Sequence, residues 1–92
     1  MKEVQLYING EFLDNGDREM RENINPATEE VVSLFPMATE EDVAAAVDAA
    51  YEAQKSWEKV TAIQRAGYLM ELVELVKENQ DVLARATSEE MG

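Results

Sequence analysis

At Pro36 the apolar pattern of this chain changes period, and that change limits the fold more than any other feature. Before it, apolar residues come in short runs cut by turn formers. Leu6-Tyr7-Ile8 is followed by Asn9-Gly10 and then by Phe12-Leu13. Asn-Gly between two apolar runs is a strong hairpin signal, because both turn residues must take positive φ. Asn15-Gly16-Asp17 marks a second turn, and Met20 to Ile24 reads as a short strand. In Asn25-Pro26-Ala27-Thr28 proline presets φ at the second position of a turn. Val31 to Phe35 is a β-branched and aromatic run closed by Pro36. Residues 1–36 are therefore expected to form β-hairpins in a small antiparallel meander.

Beyond Pro36 the spacing is helical over residues 39–91. Thr39 precedes Glu40-Glu41-Asp42, which places a capping hydroxyl and three carboxylates at a helix N-terminus. Val43, Ala46, Val47, Ala50 and Tyr51 then fall on one face, with Trp57 further along it. Thr61-Ala62-Ile63-Gln64 fits a capping box that opens a second helix. Ala66, Leu69, Met70, Val73 and Val76 form its stripe, and Leu72 and Leu75 widen it, so two sides of this helix call for burial. Asn79 or Asp81 is expected to cap a third, shorter helix through Ala86. The fold class is α+β, with two to three helices after the strands.

Ninety-two residues fit one small domain, which buries about 60–65% of its unfolded surface and is marginally stable alone. Twenty acidic and eight basic side chains give a net charge of −12. So negative a surface repels phosphate backbones and anionic head groups, which argues against nucleic-acid and membrane partners. There is no cysteine and no histidine. Disulfides, thiolate zinc sites, a thiol nucleophile and the commonest general base are all excluded. Met1 to Gln5 lacks an apolar signal core and no stretch reaches membrane-spanning length, so a cytoplasmic location is expected.

The candidate sites each have a plainer structural explanation. Gly10, Gly16, Gly67 and Gly92 form no G-x-G-x-x-G and no P-loop. Gly67, inside the second helix, is expected to admit a closely packed neighbouring element. Glu29-Glu30, Glu40-Glu41-Asp42 and Glu89-Glu90 lack EF-hand spacing, and the carboxylates of a helix's first turn already have a reason to be there. Trp57 and Tyr51 are expected in a core rather than stacked on a base. Met20, Met37, Met70 and Met91 are scattered, as gap-fillers are.

Four blocks in register resemble the N-terminal segment of the NAD(P)-dependent aldehyde dehydrogenase superfamily. They are Leu6 to Phe12, Asn23 to Val31, and Ala38 to Val43 with Ala46 and Ala50, continued by Trp57, Arg65, Leu69 and Glu90-Met91-Gly92. Glu29 stands where the family usually has glycine after the N-P-A-T turn, which argues against a tight positive-φ turn there. The resemblance implies a parent with a Rossmann-like coenzyme domain, a catalytic domain and an oligomerisation arm. This chain would belong to the surround of the α/β coenzyme domain, as a single partial domain over residues 1–92. The parent's chemistry would be thiolate attack on an aldehyde, hydride transfer to NAD or NADP, and thioester hydrolysis. The cysteine, glutamate, asparagine and lysine that perform it would all lie downstream. No catalytic, cofactor-binding or metal residue is therefore assigned here, and the isolated chain is expected to be inactive. Some members hold a monovalent cation through main-chain carbonyls near the positions of Asn23 and Ile24, at best half a site in this chain. The expected partners are the remainder of the parent subunit or further copies of this chain. The alternative is a self-standing acidic helical interaction module.

Overall fold

The computed structural model describes residues 2–92. The expected hairpin is present: β2 (Tyr7–Ile8) runs antiparallel to β3 (Glu11–Phe12), with Tyr7 opposite Phe12. Asn9 (φ 53°) and Gly10 (φ 77°) make the turn. The Leu13 N–H donates to the Leu6 carbonyl at 2.9 Å, which extends the pairing. The Tyr7 and Phe12 rings lie 4.8 Å apart as a cross-strand pair.

The other strands correct the meander. β4 (Met20–Ile24) is antiparallel to β5 (Val31–Pro36), as expected. But β1 (Lys2–Glu3) runs parallel along the far side of β5, so this sheet has the order β1-β5-β4 and is separate from the hairpin. Two polar residues gave no strand signal. They are recruited because the Val4 N–H reaches the Leu34 carbonyl at 2.9 Å and β5 needs a partner on that edge.

The turn joining β4 to β5 overturns the expectation at Glu29, whose φ is 64°. The Asn25 carbonyl accepts from the Glu29 N–H at 2.8 Å, and the Asn25 side-chain oxygen accepts from the Ala27 N–H at 2.9 Å. These bonds hold a left-handed residue although it carries a Cβ. That conformation costs an L-residue about 1–2 kcal/mol, against about 0.4–1 kcal/mol of extra unfolded-state freedom for glycine. Glu29→Gly is therefore expected to raise stability by up to about 1 kcal/mol. A lowered urea midpoint would show that the side chain contributes more than its strain costs.

Both helix starts match their sequence signals. In α1 (Glu40–Trp57) the Thr39 hydroxyl accepts from the Asp42 N–H at 3.1 Å, and the Asp42 carboxylate accepts from the Thr39 N–H at 2.8 Å. In α2 (Ala62–Glu78) Thr61 and Gln64 form the same reciprocal box at 3.2 and 3.3 Å. Thr61→Ala is expected to cost about 0.5–2 kcal/mol. An unchanged urea midpoint would mean that this cap does not hold the helix start.

The third helix, α3 (Gln80–Met91), runs past the expected end at Ala86. Asn79 stands at its N-cap without capping it, because its side chain donates back to the Leu75 carbonyl at 2.8 Å. A Cβ on Gly92 would lie 3.0 Å from Pro26, so α3 ends hard against the Asn25–Glu30 turn.

No aliphatic or aromatic side chain is buried among the described residues, Pro36 being the one buried apolar residue there. Trp57 is 44% and Tyr51 64% exposed, which corrects their assignment to a core. Gly67 is corrected too: a Cβ there would have nothing within 4 Å. The radius of gyration is 16.8 Å, where a compact domain of this length would have about 12 Å. The accessible surface of 7799 Å² exceeds the roughly 5,400 Å² of a compact monomer of this mass. The shape is a slab of 47 × 34 × 17 Å whose helices stand beside the strands and enclose no core. No helix among the described residues is long and apolar enough to cross a membrane.

Candidate functional site

Polar contacts gather at two junctions. At the first, Arg18 reaches across to the first turn of α1 and grips Asp42 with both terminal nitrogens, the Nη2–Oδ1 contact being 2.9 Å. Both side chains are largely covered, at 20% and 12% exposure. The guanidinium, with help from the Thr39 N–H, holds the Asp42 carboxyl well below the usual carboxylate range. Asp42 thus closes the capping box and anchors the helix to the β segment. Nothing in the sequence announced Arg18 as its partner, since 24 residues separate them. The acidic cluster at 40–42 is accounted for by helix capping and this ion pair.

At the second junction α1 meets α2. The Arg65 guanidinium lies 5.4 Å from the centre of the Trp57 ring and donates to the Trp57 carbonyl at 2.8 Å. The Tyr68 ring lies 5.7 Å from Trp57. Trp57 thus contacts Arg65 and Tyr68 of α2 at the helix–helix corner while remaining 44% exposed. Tyr51 carries the Lys55 ammonium 5.1 Å from its ring centre.

Asn23 and Ile24 sit on the edge strand β4 at a break in register. Asn23 faces Ser33 but Ile24 faces Val31, so Val32 is the extra residue of a β-bulge. Ser33 is the one buried polar residue among those described. No three acidic side chains gather as a cation site among the described residues. Glu29-Glu30 lies on the turn and strand edge, and Glu89-Glu90 in the last turn of α3.

No glycine-rich loop joins a strand to a helix N-terminus among the described residues. Gly10 and Gly16 serve the β turns, Gly67 is mid-helix and Gly92 ends α3. A phosphate loop needs glycines between a strand and a helix N-terminus.

What dominates the molecule is apolar surface on the helices. In α2, Leu69 is 62%, Met70 60% and Val73 40% exposed. Between the hairpin and the alanine face of α1, a gap of about 300 Å³ lies along Ala46, Ala50 and Ala53. Surfaces of this extent are rarely left bare in a monomer.

Comparison with known proteins gives this geometry a context. The model of the aldehyde dehydrogenase family matches residues 12–92. A D-glyceraldehyde dehydrogenase (NADP(+)) of Picrophilus torridus is 37% identical over 97% of this chain and 18% of its own length. A malonate-semialdehyde dehydrogenase of Lacticaseibacillus casei is 40% identical over the whole chain and 19% of its own length. A crystal structure from Sinorhizobium meliloti 1021, described as a methylmalonate-semialdehyde dehydrogenase complexed with NAD, superposes with a TM-score of 0.85 at 32% identity. That superposition takes in 97% of this chain and 18% of the solved one. The chain thus spans about a fifth of the length of the relatives it matches.

Proposed function

We propose a function from a single premise: the chain belongs to the aldehyde dehydrogenase family. On that premise it is the N-terminal segment of a dehydrogenase subunit, and its work is structural. It supplies outer strands and helices to a longer protein whose downstream residues carry the chemistry. The observation that carries this reading is the close superposition of nearly the whole chain on a small part of a solved relative. The absence of a core supports it, because the apolar helix faces need a body to rest on.

The whole protein would oxidise an aldehyde to the acid level with NAD or NADP. Its relatives point to short oxygenated aldehydes, such as malonate semialdehyde or glyceraldehyde. The residues present do not fit the coenzyme, so no step is assigned to them. Their part is to hold the fold edge in place through the Arg18–Asp42 and Arg65–Trp57 junctions. A cytoplasmic location goes with this reading.

The test is expression of the longer reading frame that contains this chain. Purified protein is assayed for NADH or NADPH formation with malonate semialdehyde, methylmalonate semialdehyde and glyceraldehyde. Coenzyme reduction with one of these supports the reading. A frame that ends with this chain, or a longer protein inert toward every aldehyde, would overturn it.

A further inference from the structure

We propose that Asn9 is a site of spontaneous covalent modification, and that the fold shields Asn15, the other asparagine followed by glycine. In such a pair the amide nitrogen of the glycine attacks the side-chain carbon, Cγ, of the asparagine. No Cβ on the glycine obstructs the approach. A C–N bond forms, the Cγ–Nδ2 bond breaks, and ammonia leaves with the amide proton. Water then opens the five-membered imide at either of its carbonyls. The product is aspartate or isoaspartate, with one water consumed, one ammonia released and no change of oxidation state. The reaction needs a glycine nitrogen free to reach Cγ and a side-chain oxygen able to carry negative charge on the way.

The two pairs differ on both counts. Asn9 and Gly10 lie exposed at the tip of the β2–β3 hairpin, where water can stabilise the oxyanion. No partner is found for the Gly10 N–H among the described residues, so its nitrogen is not tied down. At Asn15 three features oppose the same reaction. The Gly16 N–H donates to Asp14 Oδ1 at 3.1 Å, which holds the nucleophile. The Asn15 Nδ2 donates to the Val4 carbonyl at 3.2 Å, which fixes the side chain and its leaving group. The Asn15 Oδ1 is buried and has no donor among the described residues. Charge developing on that oxygen would meet neither water nor an N–H, and unpaired buried charge is costly. All three features lie within residues 4–16, so they do not depend on what rests against the helices. Conversion at Asn9 has a structural result as well. Isoaspartate routes the main chain through the side-chain carbon and lengthens it by a methylene. A two-residue turn cannot take in that length and keep Ile8 opposite Glu11. The Tyr7–Phe12 pair next to the turn would then separate.

The test uses protein expressed from the full reading frame that contains this chain, incubated at mildly alkaline pH. Cleavage after Glu11 puts the two asparagines on separate peptides, and mass spectrometry reads the amide-to-acid gain on each. In the folded protein Asn9 is expected to convert at least about tenfold faster than Asn15, the factor that two hydrogen bonds broken before attack would supply. Chromatography against synthetic peptides should find isoaspartate as well as aspartate at position 9. In urea the contacts of the fold are gone, and the two rates should converge. Asp14→Ala should speed conversion at Asn15 and leave Asn9 unchanged. Equal rates in the folded protein, or a faster Asn15, would overturn the proposal. So would a gap that persists undiminished in urea, since the neighbouring residues and not the fold would then set it. The urea comparison uses the unaltered sequence and holds even if Asp14→Ala fails to fold. An unchanged Asn15 rate in folded Asp14→Ala protein would overturn the shielding assigned to Asp14.

Discussion

Purified alone and repurified, the 92-residue chain is expected to form no NADH or NADPH above buffer with any aldehyde, aliphatic or aromatic. Oxidation through a covalent adduct needs a nucleophile that adds to the carbonyl and then leaves. Cysteine is the family's choice, and this chain has none. It also has no histidine to serve as base and no glycine cradle for a pyrophosphate. Enzymes commonly exceed the uncatalysed rate by a million-fold or more, so losing the nucleophile and the coenzyme site together leaves only background. The comparison arm is the longer frame under identical conditions. Turnover that follows the short chain through a second column would refute the assignment of a structural role.

The second large effect concerns the only long-range ion pair that ties the helices to the strands among the described residues. Arg18→Ala leaves the Asp42 carboxylate largely covered and without its bidentate partner. The helix start then loses its anchor on the β segment, and proteolysis in the link between Pro36 and Glu40 should accelerate. Arg18→Lys should fall between, because an ammonium keeps the charge but not the fork. The pair also predicts a pH dependence. Asp42 is held below its unfolded pKa, so it contributes stability that is complete above the ordinary carboxylate range. That contribution is lost as pH falls through the unfolded value of about 4 and on toward the lower folded one. Protonation of the other carboxylates relieves the repulsion of a −12 chain at the same time. The informative quantity is thus the difference between wild type and Asp42→Asn in urea midpoint, read from about pH 6 down to about pH 2. It should shrink as pH falls. A constant difference would mean that the carboxylate's charge does not hold the junction.

The local features were legible in the sequence. The Asn9-Gly10 turn and both capping boxes depend on residues within a few positions of one another, and each formed where its signal stood. The features that were missed depend on distant partners. Lys2 and Glu3 become a strand only because β5, thirty residues on, presents an open edge. Arg18 and Asp42 meet only after the chain has folded back. Glu29 takes a left-handed conformation because Asn25 fixes the turn around it, although glycine would reach it at lower cost. Trp57, Tyr51 and Gly67 carry the marks of a packed interior. Their spacing marks an apolar or close-packed helix face, and spacing alone does not say what covers it.

The order β1-β5-β4 leaves two sheet edges open, and their side chains govern what kind of aggregate can grow from them. One edge is two residues long and carries Lys2 and Glu3. The other, β4, presents Arg21, Glu22 and Asn23 and is distorted where Ile24 meets the bulge. Short, charged and bent edges are poor templates for stacking further strands. Concentrated solutions should therefore remain free of amyloid, negative for thioflavin fluorescence and without a cross-β diffraction spacing, however strongly the helices adhere.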